Sequence, residues 1–133
     1  MAFQPKDPDN EPGRQARQHY LEYARRVTGE ATLDYATLYQ RFAENDWAAL
    51  KLDDAVAQAT LKAGFSPKAV SGILHQSPYL QHQIHINKIP LAPMSQYVRS
   101  TVMKAMQQLQ GTQKGSRQRN QDIQRKPEQD LGQ

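Results

Sequence analysis

The apolar residues between Arg14 and Gly111 recur at intervals of three and four, and short breaks at Gly29, Gly64, Ser66-Pro67 and Ser77-Pro78 cut the pattern into pieces. That period puts side chains on one face of an α-helix, whereas a strand needs strict alternation. No stretch alternates for long enough to build a sheet, and no internal repeat is visible. The pattern predicts an all-α fold, a small orthogonal helical domain of about five helices containing a helix-turn-helix-like unit. With 133 residues the chain suits one domain, and its 38% hydrophobic content suits one modest core.

The individual helices follow from their punctuation. Residues 14–28 carry Ala16, Tyr20, Tyr23, Ala24 and Val27 on one stripe, closed by Gly29. Residues 33–44 carry Tyr35, Leu38, Tyr39 and Phe42, with Thr32 as the expected N-cap and Asp34 in the first turn. Asn45 and Asp46 interrupt, and Trp47 and Leu50 are expected to start a short turn that buries the only tryptophan. Asp53 is then expected to cap a separate helix bearing Val56, Ala57, Thr60 and Leu61 and ending at Gly64. Ser66-Pro67 opens the next helix, with Val70, Ile73 and Leu74 inward, and Ser77-Pro78 stops it. Residues 78–93 read as either one short helix or an irregular connector. The last helix is expected over about Met94 to Gln110, with Val98, Val102, Ala105, Met106 and Leu109 on its apolar face.

Residues 1–13 hold three prolines among polar and charged side chains, and residues 112–133 are almost wholly polar, so both read as disordered tails flanking the 14–111 domain. There is no cysteine, which excludes disulfides, thiolate metal sites and cysteine nucleophiles. No apolar run approaches the roughly 20 residues that span a bilayer, and the N-terminus lacks the apolar core of a signal peptide. The expectation is a cytoplasmic protein with no membrane partner. Net charge is +4, from 17 Lys and Arg against 13 Asp and Glu. Residues 14–110 hold 11 basic against 7 acidic, and residues 111–133 hold 5 against 3, so the excess lies in the body and the C-terminal part. That balance suits nucleic acid or another acidic partner, and equally suits ordinary solubility.

Leu52 to Gln76 has the layout of a helix-turn-helix. Gly64 serves as the left-handed turn residue, Phe65 as an apolar plug, and Ala59 and Thr60 as small contact residues. The second helix would then present Lys68, Ser71, His75 and Gln76 to base edges or phosphates. The same spacing also makes an ordinary structural helix pair. Arg117, Arg119, Arg125 and Lys126 in the C-terminal tail would add diffuse attraction to a polyanion. Further along, Asp54-Ala55-Val56-Ala57, Leu61-Lys62-Ala63-Gly64-Phe65-Ser66-Pro67, Val70, Ile73-Leu74, Gln76-Ser77-Pro78 and Tyr97 follow one another in order. Over about residues 53–106 this run resembles a small helical accessory module of plasmid mobilisation (relaxase) and primase proteins. The resemblance implies an accessory role beside DNA-processing machinery and carries no catalytic residues.

Catalytic chemistries find little support. His82 and His85 could share a helix face, but a metal site needs further ligands, and no carboxylate lies between Asp54 and Asp122. No serine sits in a G-x-S-x-G elbow, and the seven glycines form no phosphate loop. The sequence thus predicts a non-enzymatic protein without catalytic residues, metal or cofactor. Its first reading is nucleic-acid association through Lys68, Ser71, His75 and Gln76 and the tail cations. The alternative is a protein-interaction adaptor docking through aromatic and Met-rich helix faces, with Tyr20, Tyr23, Tyr35 and Tyr39 as partner-binding residues. Oligomeric state is left open.

Overall fold

The computed structural model describes the backbone of residues 7–121 and the side chains of residues 7–110. Among the described residues there are six helices and no strand: α1 (Glu11–Thr28), α2 (Tyr35–Phe42), α3 (Asp46–Lys62), α4 (Pro67–Leu74), α5 (Pro78–His85) and α6 (Leu91–Gln121). None of them is long and apolar enough to cross a membrane. The all-α expectation holds, and several boundaries shift for identifiable reasons.

Helix α1 begins at Glu11, inside the stretch expected to be a tail. Asn10 caps it by accepting from the Gly13 N–H at 2.7 Å, and Pro12 lies in the first turn, where the missing N–H costs nothing. Asp34, not Thr32, caps α2 by accepting from the Thr37 N–H. Helix α6 starts at Leu91, with Pro93 again tolerated in a first turn, and its backbone runs through Gly111 to Gln121. The remainder of the two expected tails, residues 1–6 and 122–133, lies outside the described residues. Residues 78–93 resolve into α5 and a turn, and Ser77 both ends α4's connector and caps α5, accepting from the Leu80 N–H at 3.2 Å.

The largest correction concerns α3. No break separates Trp47 from Asp53, because Asn45 caps a single helix of 17 residues. Trp47 falls on its outer face, 71% exposed, with the Lys51 ammonium 4.4 Å from the ring centroid. Asp53 is therefore no cap. It sits in mid-helix and is fully buried.

Helix α3 is the axis of the molecule and packs against all five others. Its register with α6 is set by the Lys104–Asp54 ion pair at 2.9 Å and the Gln58–Gln108 hydrogen bond, so the two helices run side by side in the same direction. The core gathers Tyr20 and Ala24 from α1, Leu38 from α2, Val56 and Ala57 from α3, Val70 and Leu74 from α4, Leu80 from α5 and Val98 from α6. Each fully buried aliphatic side chain contributes roughly 1.5–3 kcal/mol. Helices α3 and α4 are joined by a short turn at Gly64. Gly64 has φ +108°, a left-handed angle that a side chain adopts only with strain.

Two outcomes follow from these positions. Gly64→Val should lower stability by about 1–3 kcal/mol, read as a shift in the midpoint of chemical unfolding, and an unchanged midpoint would mean the turn does not need its angle. The emission of Trp47, the only tryptophan, should be that of a water-exposed indole and open to quenching by iodide in the folded protein. A blue-shifted, unquenched emission would place it in the core.

Candidate functional site

Of the residues expected on a recognition face of α4, Lys68 is exposed and the other three, Ser71, His75 and Gln76, are half-buried. The His75 Nδ1–H donates to the Ser71 carbonyl at 2.8 Å. Gln76 accepts from Arg17 Nε at 3.1 Å through its side chain and from the Tyr35 hydroxyl at 2.7 Å through its carbonyl. Lys68 alone is exposed, and no ion pair engages it among the described residues. Arg117 and Arg119 lie on the α6 backbone with side chains outside the described set, and Arg125 and Lys126 lie beyond it.

The four tyrosines offered as a partner-binding surface are core residues. Tyr20, Tyr23, Tyr35 and Tyr39 are all at most 8% exposed. Helical spacing alone cannot separate a core stripe from a docking stripe, and here the stripe faces α3, α4 and α5. Of the histidines, His82 packs tilted against Tyr39 with centroids 6.2 Å apart, and His85 is exposed. Among the described residues no group of three His, Cys, Asp or Glu converges to hold a metal.

Two polar assemblies in the interior were not legible in the sequence. In the first, Asp53 accepts hydrogen bonds from the Tyr20 hydroxyl at 2.6 Å, the Tyr97 hydroxyl at 2.7 Å and Ser77 Oγ at 3.3 Å. Those donors come from α1, α6 and the cap of α5, so one carboxyl group ties four helices at a point sealed from solvent. Burial raises its pKa from 3.8 to about 7, against the three hydroxyl donors that favour the charged form. The same burial, with the nearby carboxylate, pushes Tyr20 and Tyr97 well above the ordinary phenol range. In the second assembly, buried Arg17 reaches across from α1 to Gln76 and Gln81 and lies 4.4 Å from the Tyr35 ring centroid. Gln81 in turn donates to the His75 carbonyl at 2.8 Å, which closes the α4–α5 corner.

A concavity lies between α1 and the start of α4, a groove of about 490 Å³. Ala16 and His19 form its α1 wall, and Phe65, Lys68, Ala69 and Gly72 form the other. Phe65 is held there by edge-on contacts with His19 at 5.0 Å and Tyr23 at 5.8 Å. No acidic side chain lines the groove. Of the residues singled out in the sequence for binding, this surface keeps Lys68. The signals that could have found it are the small residues Ala69 and Gly72 on the face of α4 opposite Val70 and Leu74.

With this geometry in hand, comparison with protein families, curated proteins and solved structures found no match for the chain.

The buried carboxyl group makes a signed prediction. The folded protein holds the Asp53 proton up to about pH 7, whereas the unfolded chain releases it near 3.8, so folding takes up a proton between those values. Stability should fall as pH rises through that window and level off above it, by an amount on the order of 4 kcal/mol. Glu11, Glu30 and Asp34, held below the usual range by Arg14, Arg41 and the Thr37 N–H, act in the opposite sense at the acidic end. Chemical unfolding should therefore show a higher midpoint at pH 5 than at pH 8. Asp53→Asn, which keeps the shape and removes the charge, should flatten that difference. Retention of the full slope in the variant would place its origin elsewhere.

Proposed function

We propose that this protein is a non-enzymatic helical adaptor that docks another protein in the groove between α1 and α4. The observation that carries the reading is that in this groove a concave, largely apolar lining meets an exposed cation, Lys68, that no ion pair engages among the described residues. The polar groups best placed for chemistry are committed elsewhere. Asp53 has no solvent exposure, and its oxygens are taken by Tyr20, Tyr97 and Ser77. The adaptor reading thus moves from the tyrosine faces, which are core, to the opposite side of α4.

Nucleic-acid association is the second reading. It draws on the exposed Lys68 at the start of the second helix of a helix-turn-helix-like pair, on the helical backbone that carries Arg117 and Arg119 past residue 111, and on the resemblance of residues 53–106 to the accessory module of mobilisation and primase proteins. With the Gln76 side chain held by Arg17 and the His75 ring by the Ser71 carbonyl, such binding would be largely electrostatic and sensitive to salt.

One experiment separates the two. A photoreactive residue replaces Ala69 in the groove, or Gln40 on α2 as a control, in protein expressed in its own cells; both positions are exposed. Docking predicts a protein adduct from position 69 and not from position 40, unchanged by nuclease. An adduct that disappears on nuclease treatment favours the nucleic-acid reading, as does anisotropy showing salt-dependent oligonucleotide binding that Lys68→Glu weakens several-fold. Equal labelling at both positions, or none at either, would sink the groove.

A further inference from the structure

Gly72 stands in the interior of the eight-residue helix α4, where glycine is a poor choice: it is destabilising relative to alanine because of the backbone freedom it loses. A glycine is normally retained there because a neighbouring element approaches too closely for a side chain. At Gly72 no such neighbour exists, since a Cβ built on it meets nothing within 4 Å, and its φ is not in the left-handed region. The fold itself therefore gives no reason for the glycine. It lines the α1–α4 groove, and a Cβ there would project into that open space.

The charges around the groove are equally one-sided. Lys68 is its one formally charged lining residue, exposed and without an ion pair among the described residues. His19 stands on the opposite wall. The acids nearest in sequence are already engaged, Glu11 by Arg14 and Glu22 by Arg26, each at 2.8 Å. The apolar part of the lining comes from Ala16 on one wall and Phe65, Ala69 and Ile73 on the other.

Building on the docking reading above, we propose that the occupant is an amphipathic helix of a partner protein, bearing a large apolar residue one turn from an aspartate or glutamate. Its apolar side chain enters the groove beside Phe65 and Ala69. Its backbone passes over Gly72, where the absence of a side chain permits close approach. Its carboxylate pairs with Lys68. This is the helix-in-groove mode of recognition, in which the apolar contact supplies affinity and the charge fixes orientation.

The test selects random twelve-residue peptides, displayed on phage, against the full chain, and measures the affinity of the enriched peptides for three variants. Enriched peptides should combine Leu, Ile, Phe or Trp with Asp or Glu three or four positions away. Lys68→Glu should weaken them at least tenfold, whereas Arg99→Glu, at an exposed cation of α6, should leave them unchanged. Gly72→Ala is the decisive variant. Alanine suits a helix and meets no neighbour, so the variant should melt at a higher temperature than wild type while binding several-fold more weakly. A Gly72→Ala protein that binds as well as wild type overturns the close-approach argument. Peptides that compete for the groove but carry no acid overturn the stated partner chemistry and leave the docking reading intact. Peptides insensitive to both groove variants, or no enrichment at all, overturn both.

Discussion

A carboxyl group buried in the middle of a helix must find hydrogen-bond donors or lose stability, and in this protein the donors come from three other helices. Asp53 receives Tyr20 from α1, Tyr97 from α6 and Ser77 from the cap of α5. An apolar core alone specifies that these helices pack, but tolerates sliding between equivalent apolar contacts. A carboxyl group with three directed donors admits one register, because each displacement leaves a buried polar group unsatisfied, at about 1–3 kcal/mol per group. Ser77 is engaged twice, as donor to Asp53 and as acceptor from the Leu80 N–H, so the start of α5 and the centre of α3 are positioned together.

Arg17 plays the matching part on the other side of the α4–α5 corner. Its guanidinium holds Gln76 and Gln81 and lies over the Tyr35 ring, so α1 is bound to the end of α4, to α5 and to α2 through one side chain. These tethers consume the polar groups of the α4 C-terminal end. They leave the face of α4 that carries Lys68, Ala69 and Gly72 lining the open groove beside α1. The contrast between the tethered residues after α4 and the groove-lining face of α4 itself is what shifts the proposed reading from a recognition helix to a docking groove.

Much of the fold was legible in the residues. The helical period, the Ser66-Pro67 start, the turn at Gly64 and the termination of α1 at Gly29 all appear in the structure where local chemistry puts them, since a cap or a left-handed angle is decided by a few neighbouring residues. The boundaries that moved did so because the same residue type serves two purposes. Proline both ends helices and suits their first turn, as at Pro12 and Pro93. Aspartate both caps helices and, more rarely, anchors a buried network, as Asp34 and Asp53 respectively do. Of the residues marked for binding, Lys68 kept an exposed position, while Tyr20, Tyr23, Tyr35 and Tyr39 went to the core and Gln76 to an internal bond.

What the sequence determined by itself is therefore the local layer: that the chain is helical, where several of the helices begin or end, and which face of most of them is apolar, because these depend on contacts within a turn or two. Which apolar faces meet, where Asp53 and Arg17 find hydrogen-bond partners 24 to 64 residues away, why Trp47 is left in water, and that α1 and α4 part to leave a groove were decided by the tertiary structure alone. Those features arise from the packing of elements distant in sequence, and no local preference encodes the direction from which a distant hydroxyl will arrive.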